Sequence, residues 1–190
     1  MTLETLIADW GLPALFLGGV FEGDGAGMVG GALAHRGAFP LPSAWAAIST
    51  GAFLADQALF QIARRHRQMP RLQRLAATAA AAPLLALAAR RPALASMSFR
   101  FLFGMRTIGP LVLGLSAIPA RLYLVFNLLA VALWGALVTA LGYGAGHVLE
   151  QLFGRLDPVR HLGLILGLTA ALLAAAAFLH HRLRRRREKP

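Results

Sequence analysis

The chain has 190 residues, of which 57% are hydrophobic and 14% are charged, and its mean hydropathy is +0.61. Ordinary soluble domains contain about 25% charged residues, so this composition excludes a disordered chain and argues against a soluble enzyme. The absence of cysteine excludes disulfides, thiol catalysis and cysteine-bound metals. The length suits a single membrane domain over residues 1–180, followed by a basic tail over 181–190.

The formal net charge of +11 is concentrated in two places. Residues 64–91 contain arginines and no acid, and residues 182–190 contain a single glutamate among basic residues. Basic clusters beside apolar segments mark the cytoplasmic side of a membrane. Aromatic residues are not interleaved with these arginines, so we expect a lipid bilayer as partner and no nucleic acid. We therefore predict a multi-pass protein with a cytoplasmic C-terminus and with residues 40–43 and 147–161 on the outer side.

The first half of the chain contains one stretch that is long enough to cross a bilayer. Residues 10–20 are apolar but short, and they lead into a glycine-rich segment that contains Glu22 and Asp24. A spanning helix needs about 20 mostly apolar residues. Residues 43–63 meet that requirement and are interrupted only by Asp56, so we predict the first span there.

The second half contains two more candidate spans. Residues 76–89 are rich in alanine, contain Pro83 and are too short to span, which predicts an interfacial or buried helix. Residues 96–116 are apolar but are broken by glycine, proline and arginine. Residues 122–146 carry no charge, and residues 162–179 end at the basic tail, so both are predicted to span.

Five ionisable residues lie in or beside these apolar stretches. Insertion scales assign about 2.5–3.5 kcal/mol to a charged side chain at the centre of a membrane helix. We therefore expect these side chains to pair with one another, to line a wet cavity, or both. They are Glu22, Asp24, Asp56, Arg100 and Arg106.

The two broken stretches are predicted to be re-entrant helical hairpins, over about residues 12–34 and 94–116. Irregular backbone at membrane depth is tolerated only where it is buried or lines water. Glycine and proline supply the bends, and the candidate hinge residues are Gly23, Gly25, Gly104 and Pro110. We predict an all-α polytopic membrane fold with two opposed hairpins and about three to four full transmembrane helices, a pattern typical of transporters.

The residues alone leave the roles of the charges open. Arg100 and Arg106 are suited to binding a phosphate through forked hydrogen bonds, or they form permanent ion pairs with Glu22 and Asp24. These two acids and Asp56 are also candidates for proton coupling, because carboxylates that lie close together in a medium of low polarity can hold a shared proton.

The remaining patterns have structural interpretations. Asp56 is expected to partner Arg64 or the backbone of a hairpin. Adjacent histidines at 180 and 181 diverge on a helix and have no carboxylate nearby, so no metal site is expected. We expect tryptophans in the core or near the interfaces, and a glycine face in close helix packing. These are Trp10, Trp45 and Trp134, and Gly142, Gly144 and Gly146.

Several of these segments resemble signatures of the DedA family, also described as the VTT or SNARE-associated domain. FEGD at 21–24 and GALAHRG at 31–37 resemble its first signature, and FLADQ at 53–57 resembles its second. RFLFGMRT at 100–107, with its two arginines, resembles the third and most specific. The resemblance covers about residues 12–147. It implies a bacterial inner-membrane protein with opposed re-entrant hairpins, in which the essential residues are Glu22, Asp24, Arg100 and Arg106.

The resemblance also implies a transported substrate, namely undecaprenyl phosphate or phospholipids that are flipped or scrambled across the bilayer. We accordingly expect a lipid transporter and not an enzyme, with no catalytic residue and no cofactor. Arg100 and Arg106, with Glu22 and Asp24, would form the substrate site, and protons are a candidate coupled ion. A homo-oligomer is compatible with the sequence. The alternative is a proton-coupled antiporter of small ions or cationic drugs, which would need the acids and tolerate loss of an arginine.

Overall fold

The structure is a computed structural model that describes residues 3–102 and 104–153. Within these residues the fold is all-helical, as the sequence predicts. The chain divides into two compact units, residues 1–147 and 148–190, and the second contributes only the end of the last helix to the described residues. The predicted span 162–179, the tail 181–190 and most of the predicted outer loop 147–161 lie outside the described residues.

The first half forms three helices, α1 (Leu3–Phe21), α2 (Asp24–His35) and α3 (Leu41–Arg65). Helices α1 and α2 form an antiparallel hairpin. Two contacts across the turn show this arrangement, one between Gly18 and Ala26 and the other between Gly30 and Leu15. Both helices pack on α3.

Helix α3 is the centre of the fold and packs against α1, α2 and α7. It begins after Pro40 with a second proline in its first turn, where the missing N–H has no intrahelical partner to lose. It ends with Arg64 and Arg65, whose positive charges suit the negative end of the helix dipole. Its buried face recurs every three to four residues and consists of Ala44, Ile48, Gly51, Ala52, Asp56, Phe60 and Ala63.

The second half contains four short α-helices, one 3-10 turn and one long α-helix. They are α4 (Pro70–Ala76), α5 (Ala82–Arg90), α6 (Pro92–Ser98), a 3-10 turn (Phe99–Phe101), α7 (Met105–Leu115) and α8 (Ala120–Phe153). The helix predicted over 76–89 starts only at Ala82. The reason is Pro83, which is favourable in the first turn of a helix and unfavourable in its interior.

Glycines allow α2 and α8 to cross with their backbones in contact. A methyl group on Gly31 would lie 2.0 Å from the carbonyl oxygen of Thr139, and one on Gly142 would lie 2.1 Å from that of Met28. The expected glycine packing face of α8 is thus confirmed at Gly142 and at Gly146, which contacts α2, while Gly144 faces open space.

One helix among the described residues is long and apolar enough to cross a membrane. It covers Ala120–Gln151, with a mean hydropathy of 2.2 in its most apolar window, and contains the span predicted at 122–146. Helix α3 has the length, with 25 residues, but it is less apolar because its sequence includes Asp56 and several serine, threonine and glutamine residues. The re-entrant hairpins and the total number of spans stay predictions.

Candidate functional site

Two glycines in the left-handed backbone region mark the turns within the two broken segments. Gly23 (φ 84°) precedes α2, and Gly104 (φ 78°) precedes α7. Residues with a side chain rarely adopt this conformation, which explains why the chain turns at these two candidate hinges. The other two candidates, Gly25 and Pro110, lie inside α2 and α7 respectively, where the helix continues past them.

Arg100, in the 3-10 turn, forms a buried ion pair with Asp56 in the middle of α3. The exposed fractions of Asp56 and Arg100 are 2% and 7%. The ion-pair partner of Arg100 is therefore Asp56, and not Glu22 or Asp24 as one interpretation of the sequence expects. It does not pair with Arg64, because eight residues along a helix correspond to about 12 Å.

Arg106, in the first turn of α7, reaches the tip of the α1–α2 hairpin. One terminal N–H group of its guanidinium donates to the carbonyl oxygen of Gly19. The guanidinium also lies directly against Gly23, where any Cβ atom would overlap it. The negative charges of Asp24, Asp56 and Glu22 all lie within electrostatic range of Arg106. This side chain therefore links the start of α7 to the turn between α1 and α2.

Trp134 of α8 contacts three charged side chains at once. Its indole N–H donates to Oδ1 of Asp24 over 2.9 Å. The guanidinium carbons of Arg100 and Arg106 lie 4.7 Å and 5.6 Å from its ring centre. The sequence predicts only that Trp134 lies in the core or near an interface. It cannot predict these contacts, because the stretch around Trp134 is uncharged and the arginines are far away along the chain.

Glu22 has a different environment from its neighbour Asp24. Its carboxylate accepts hydrogen bonds from the backbone N–H groups of Gly25 (3.1 Å) and Ala26 (2.9 Å). It thereby satisfies free N–H groups in the first turn of α2 and lies at the positive end of that helix dipole. Asp24 lines the cavity described next, whereas Glu22 is absent from its described lining.

A cavity of about 210 Å³ opens where the start of α2, the turn before α7 and helix α8 meet. Its described lining is Asp24, Arg100, Phe101, Leu102, Gly104, Arg106 and Trp134. Among the described residues, three buried guanidinium nitrogens have no hydrogen-bond partner: Nε and Nη1 of Arg100 and Nη1 of Arg106. A buried donor without a partner costs about 1–3 kcal/mol. An anion with several acceptor oxygens would remove that cost, so the arrangement is suited to binding an oxyanion.

A second arginine cluster joins α3 to the end of α7. Arg64 donates to the carbonyl oxygens of Gly114 (3.4 Å), Ser116 (3.1 Å) and Ile118, and Arg67 donates to Ser116 (3.0 Å). Partial burial, and then the positive charge of Arg67, hold the pKa of Arg64 below its usual value. Arginine still remains a cation at neutral pH, so the cluster neutralises the negative end of the α7 dipole.

Within the part of the chain that the structure describes, no three histidine or acidic side chains lie together as ligands for a metal ion would. The histidine pair at 180 and 181 lies outside them.

Comparison with known proteins gives one curated relative. The chain is 31% identical over 159 residues to a protein named "Inner membrane protein YohD" from Escherichia coli strain K12. The match covers 83% of this chain and 82% of that protein. No family model matches the chain, and no solved structure matches it.

Proposed function

The chain belongs to the family of the Escherichia coli inner membrane protein YohD, and for this inner-membrane protein we propose a role as a lipid transporter. In this proposal the phosphate of a membrane lipid binds between Arg100 and Arg106, and the protein then moves that lipid from one leaflet to the other. The lipid class is undecaprenyl phosphate or a phospholipid, as the resemblance to the DedA family suggests.

The observation that carries the proposal is the cavity that Asp24, Arg100, Arg106 and Trp134 help to line. Two guanidinium groups line it, and three of their buried nitrogens have no partner among the described residues. Guanidinium groups bind phosphate oxygens through paired hydrogen bonds and keep their charge in a dry site. The cavity thus supports recognition of a phosphate head group.

The rim of the cavity supports a lipid over a free anion. Phe101 and Leu102 line the cavity and are 54% and 48% exposed. Exposed apolar side chains beside a charged cavity suit a ligand whose charged head group enters and whose hydrocarbon chains stay in the bilayer. A cavity of about 210 Å³ is then sufficient, because the chains need no internal pocket.

The charges of the site support coupling to protons. The two arginines that line the cavity are balanced by Asp24 in the lining and by Asp56 behind Arg100. A phosphate that enters adds negative charge where these two acids already balance the two arginines. Protonation of Asp24 or Asp56 would restore the balance, so these acids are the proposed proton carriers and Glu22 stabilises the start of α2.

The test follows lipid movement in vesicles that contain the purified protein. Exposure of the head group would be measured for undecaprenyl phosphate and for ordinary phospholipids, with Arg106→Ala compared with Arg121→Ala. Arg121 is an exposed residue at the start of α8 and serves as the matched control. A lost hydrogen bond to a charged group is worth about 1.5–3 kcal/mol, so movement should fall about 10- to 100-fold in Arg106→Ala and stay unchanged in Arg121→Ala.

Full activity of Arg106→Ala would contradict the phosphate site. If folded, unaltered protein moved neither lipid, transport of ions would become the better explanation. Release of inorganic phosphate from a lipid would instead indicate an enzyme.

A further inference from the structure

Trp134 is the only described side chain whose ring faces both arginines of the cavity while its N–H binds an acid of the same cavity. We propose that Trp134 positions Arg100 and Arg106 for a phosphate ligand and that its indole responds when the ligand binds. This inference deepens the proposed function and rests on it. Trp134 is a positioning residue, because it acts through the two arginines.

Two guanidinium groups in one small cavity repel each other. The face of an indole ring carries negative potential and attracts cations that lie within about 6 Å of its centre, most strongly where water is excluded. Both arginines meet that distance, at 4.7 Å and 5.6 Å, and Trp134 is only 5% exposed. The ring therefore stabilises both cations close together before any anion arrives.

The hydrogen bond to Asp24 adds a second restraint. Asp24 is an exposed residue at the start of α2, and the 2.9 Å bond from the indole N–H holds its carboxylate at the cavity. An indole nitrogen can only donate, so Asp24 must present an oxygen acceptor to it. If Arg100 or Arg106 moved toward a phosphate, its distance from the Trp134 ring would change, and so would the electric field at the indole.

Trp134 also belongs to a hydrophobic cluster with Ile48, Ala52, Val131 and Val138. Its replacement could therefore act through lost packing alone, and a control variant is needed. Trp45 supplies that control. Its indole N–H also donates across the α3–α8 contact, to the carbonyl oxygen of Ala132 over 2.9 Å. No arginine of the described residues lies over its ring. Trp45→Phe therefore removes an equivalent hydrogen bond without touching the cavity.

The experiment measures binding of dodecyl phosphate to the purified protein by calorimetry. Inorganic phosphate tests the head group alone, and dodecyltrimethylammonium has the same chain with the opposite charge. Trp134→Leu should weaken the binding of dodecyl phosphate about tenfold, because it removes both the ring face and the N–H. Trp134→Phe keeps a ring face and should lose about threefold. Trp45→Phe should bind as the unaltered protein does.

A second measurement leaves Trp134 in place. The chain has three tryptophans, so Trp10→Phe combined with Trp45→Phe makes Trp134 the only tryptophan, which can be excited selectively over the tyrosines. Its emission should change with dodecyl phosphate and not with dodecyltrimethylammonium. Constant emission while calorimetry records binding would overturn the inference, even if the Trp134 variants fail to fold.

The outcomes separate this inference from the proposed function. If neither dodecyl phosphate nor inorganic phosphate binds to the unaltered protein, the proposed function fails and the inference fails with it. If dodecyl phosphate binds equally well to Trp134→Leu, or if Trp45→Phe weakens it as much, only the inference fails. Equal affinity for inorganic phosphate and dodecyl phosphate would keep the role of Trp134 but identify the ligand as free phosphate.

Discussion

Asp56 and Arg100 are almost completely removed from solvent, and each compensates the charge of the other. Removal of one partner from a buried ion pair costs about 3–5 kcal/mol, because the remaining charge is left uncompensated. Replacement of both by neutral side chains of similar size is often close to neutral. The stability of this core and the availability of Arg100 for a ligand therefore depend on the same carboxylate.

We expect Asp56→Asn and Arg100→Gln each to lower the free energy of unfolding by about 3–5 kcal/mol. The double variant should lose clearly less than the sum, because neither charge is then left alone. Thermal unfolding in detergent, followed by circular dichroism, measures all three. Glu22→Gln, at an exposed residue, is the control and should change stability by about 1 kcal/mol or less. Strictly additive losses would show that the two side chains do not stabilise each other.

Gly23 has a left-handed backbone and lies against the Arg106 guanidinium, whereas Gly37 has the same backbone conformation without such a contact. Their φ angles are 84° and 80°, but a Cβ atom would overlap the Arg106 guanidinium at Gly23 and meet nothing within 4 Å at Gly37. Alanine at either position should cost about 1–2 kcal/mol of stability. Only Gly23→Ala should also lose lipid movement in vesicles, since it displaces Arg106. Equal transport by the two variants would argue against this placement of Arg106.

The sequence identifies the charged residues of the site better than their partners. Asp24, Arg100 and Arg106 stand out because an ionisable group in an apolar stretch is costly, and that cost is visible locally. The pairing of Asp56 with Arg100 joins residues 44 apart, and the hydrogen bond of Trp134 to Asp24 joins residues 110 apart. Such pairs depend on how distant helices pack against each other, and the spacing of residues within one segment does not reveal that packing.

At the scale of helices, α3 connects the site to the far end of α7. Asp56 in its middle holds Arg100, and Arg64 in its last turn donates to carbonyl groups in the last turn of α7 and just after it. Unpaired carbonyl groups at the end of a helix need donors. Helix α7, which carries Arg106 at its start, is therefore fixed to α3 at its other end.

Arg64→Gln should lower the free energy of unfolding by about 1.5–3 kcal/mol, because hydrogen bonds from a charged donor are lost. Arg65→Gln removes the same charge from an exposed neighbour on α3 and should stay within about 0.5 kcal/mol of the unaltered protein. Thermal unfolding of both variants in the same detergent tests the difference. If Arg65→Gln were equally destabilising, net charge at the end of α3 would matter and the contact with α7 would not.

The helices themselves follow from local signals where those signals are strong. The predicted spans 43–63 and 122–146 lie within α3 and α8, because long apolar stretches without an internal proline favour continuous helix. The stretch 76–89 is less regular than its alanine content suggests, because Pro83 sets a helix start there. Pro83 therefore determines where α5 begins, and its effect outweighs the high helix propensity of the neighbouring alanines.

For the molecule as a whole, the distribution of charge predicts its orientation in the membrane. The arginines of 64–91 include exposed residues of α4 and the ends of α3 and α5, and no acid interrupts them. Such a cluster resists transfer across a membrane, so it should stay cytoplasmic. If α3 crosses the bilayer as the sequence predicts, residues 40–43 would lie on the outer side and the two predicted hairpins would enter from opposite sides. This opposition is what would let a phosphate site face each leaflet in turn.

Because the chain has no cysteine, a single introduced cysteine is the only thiol in it and can report this orientation after the protein is purified from the labelled cells. Pro42 precedes most of α3, and Thr78 lies between α4 and α5 inside the arginine-rich segment; both are exposed. In intact cells, a maleimide that cannot cross the membrane should label Pro42→Cys and leave Thr78→Cys unlabelled. After the cells are opened it should label both, which controls for reactivity. Labelling of both positions in intact cells, or of Thr78→Cys alone, would place 64–91 outside and remove the basis for two opposed hairpins.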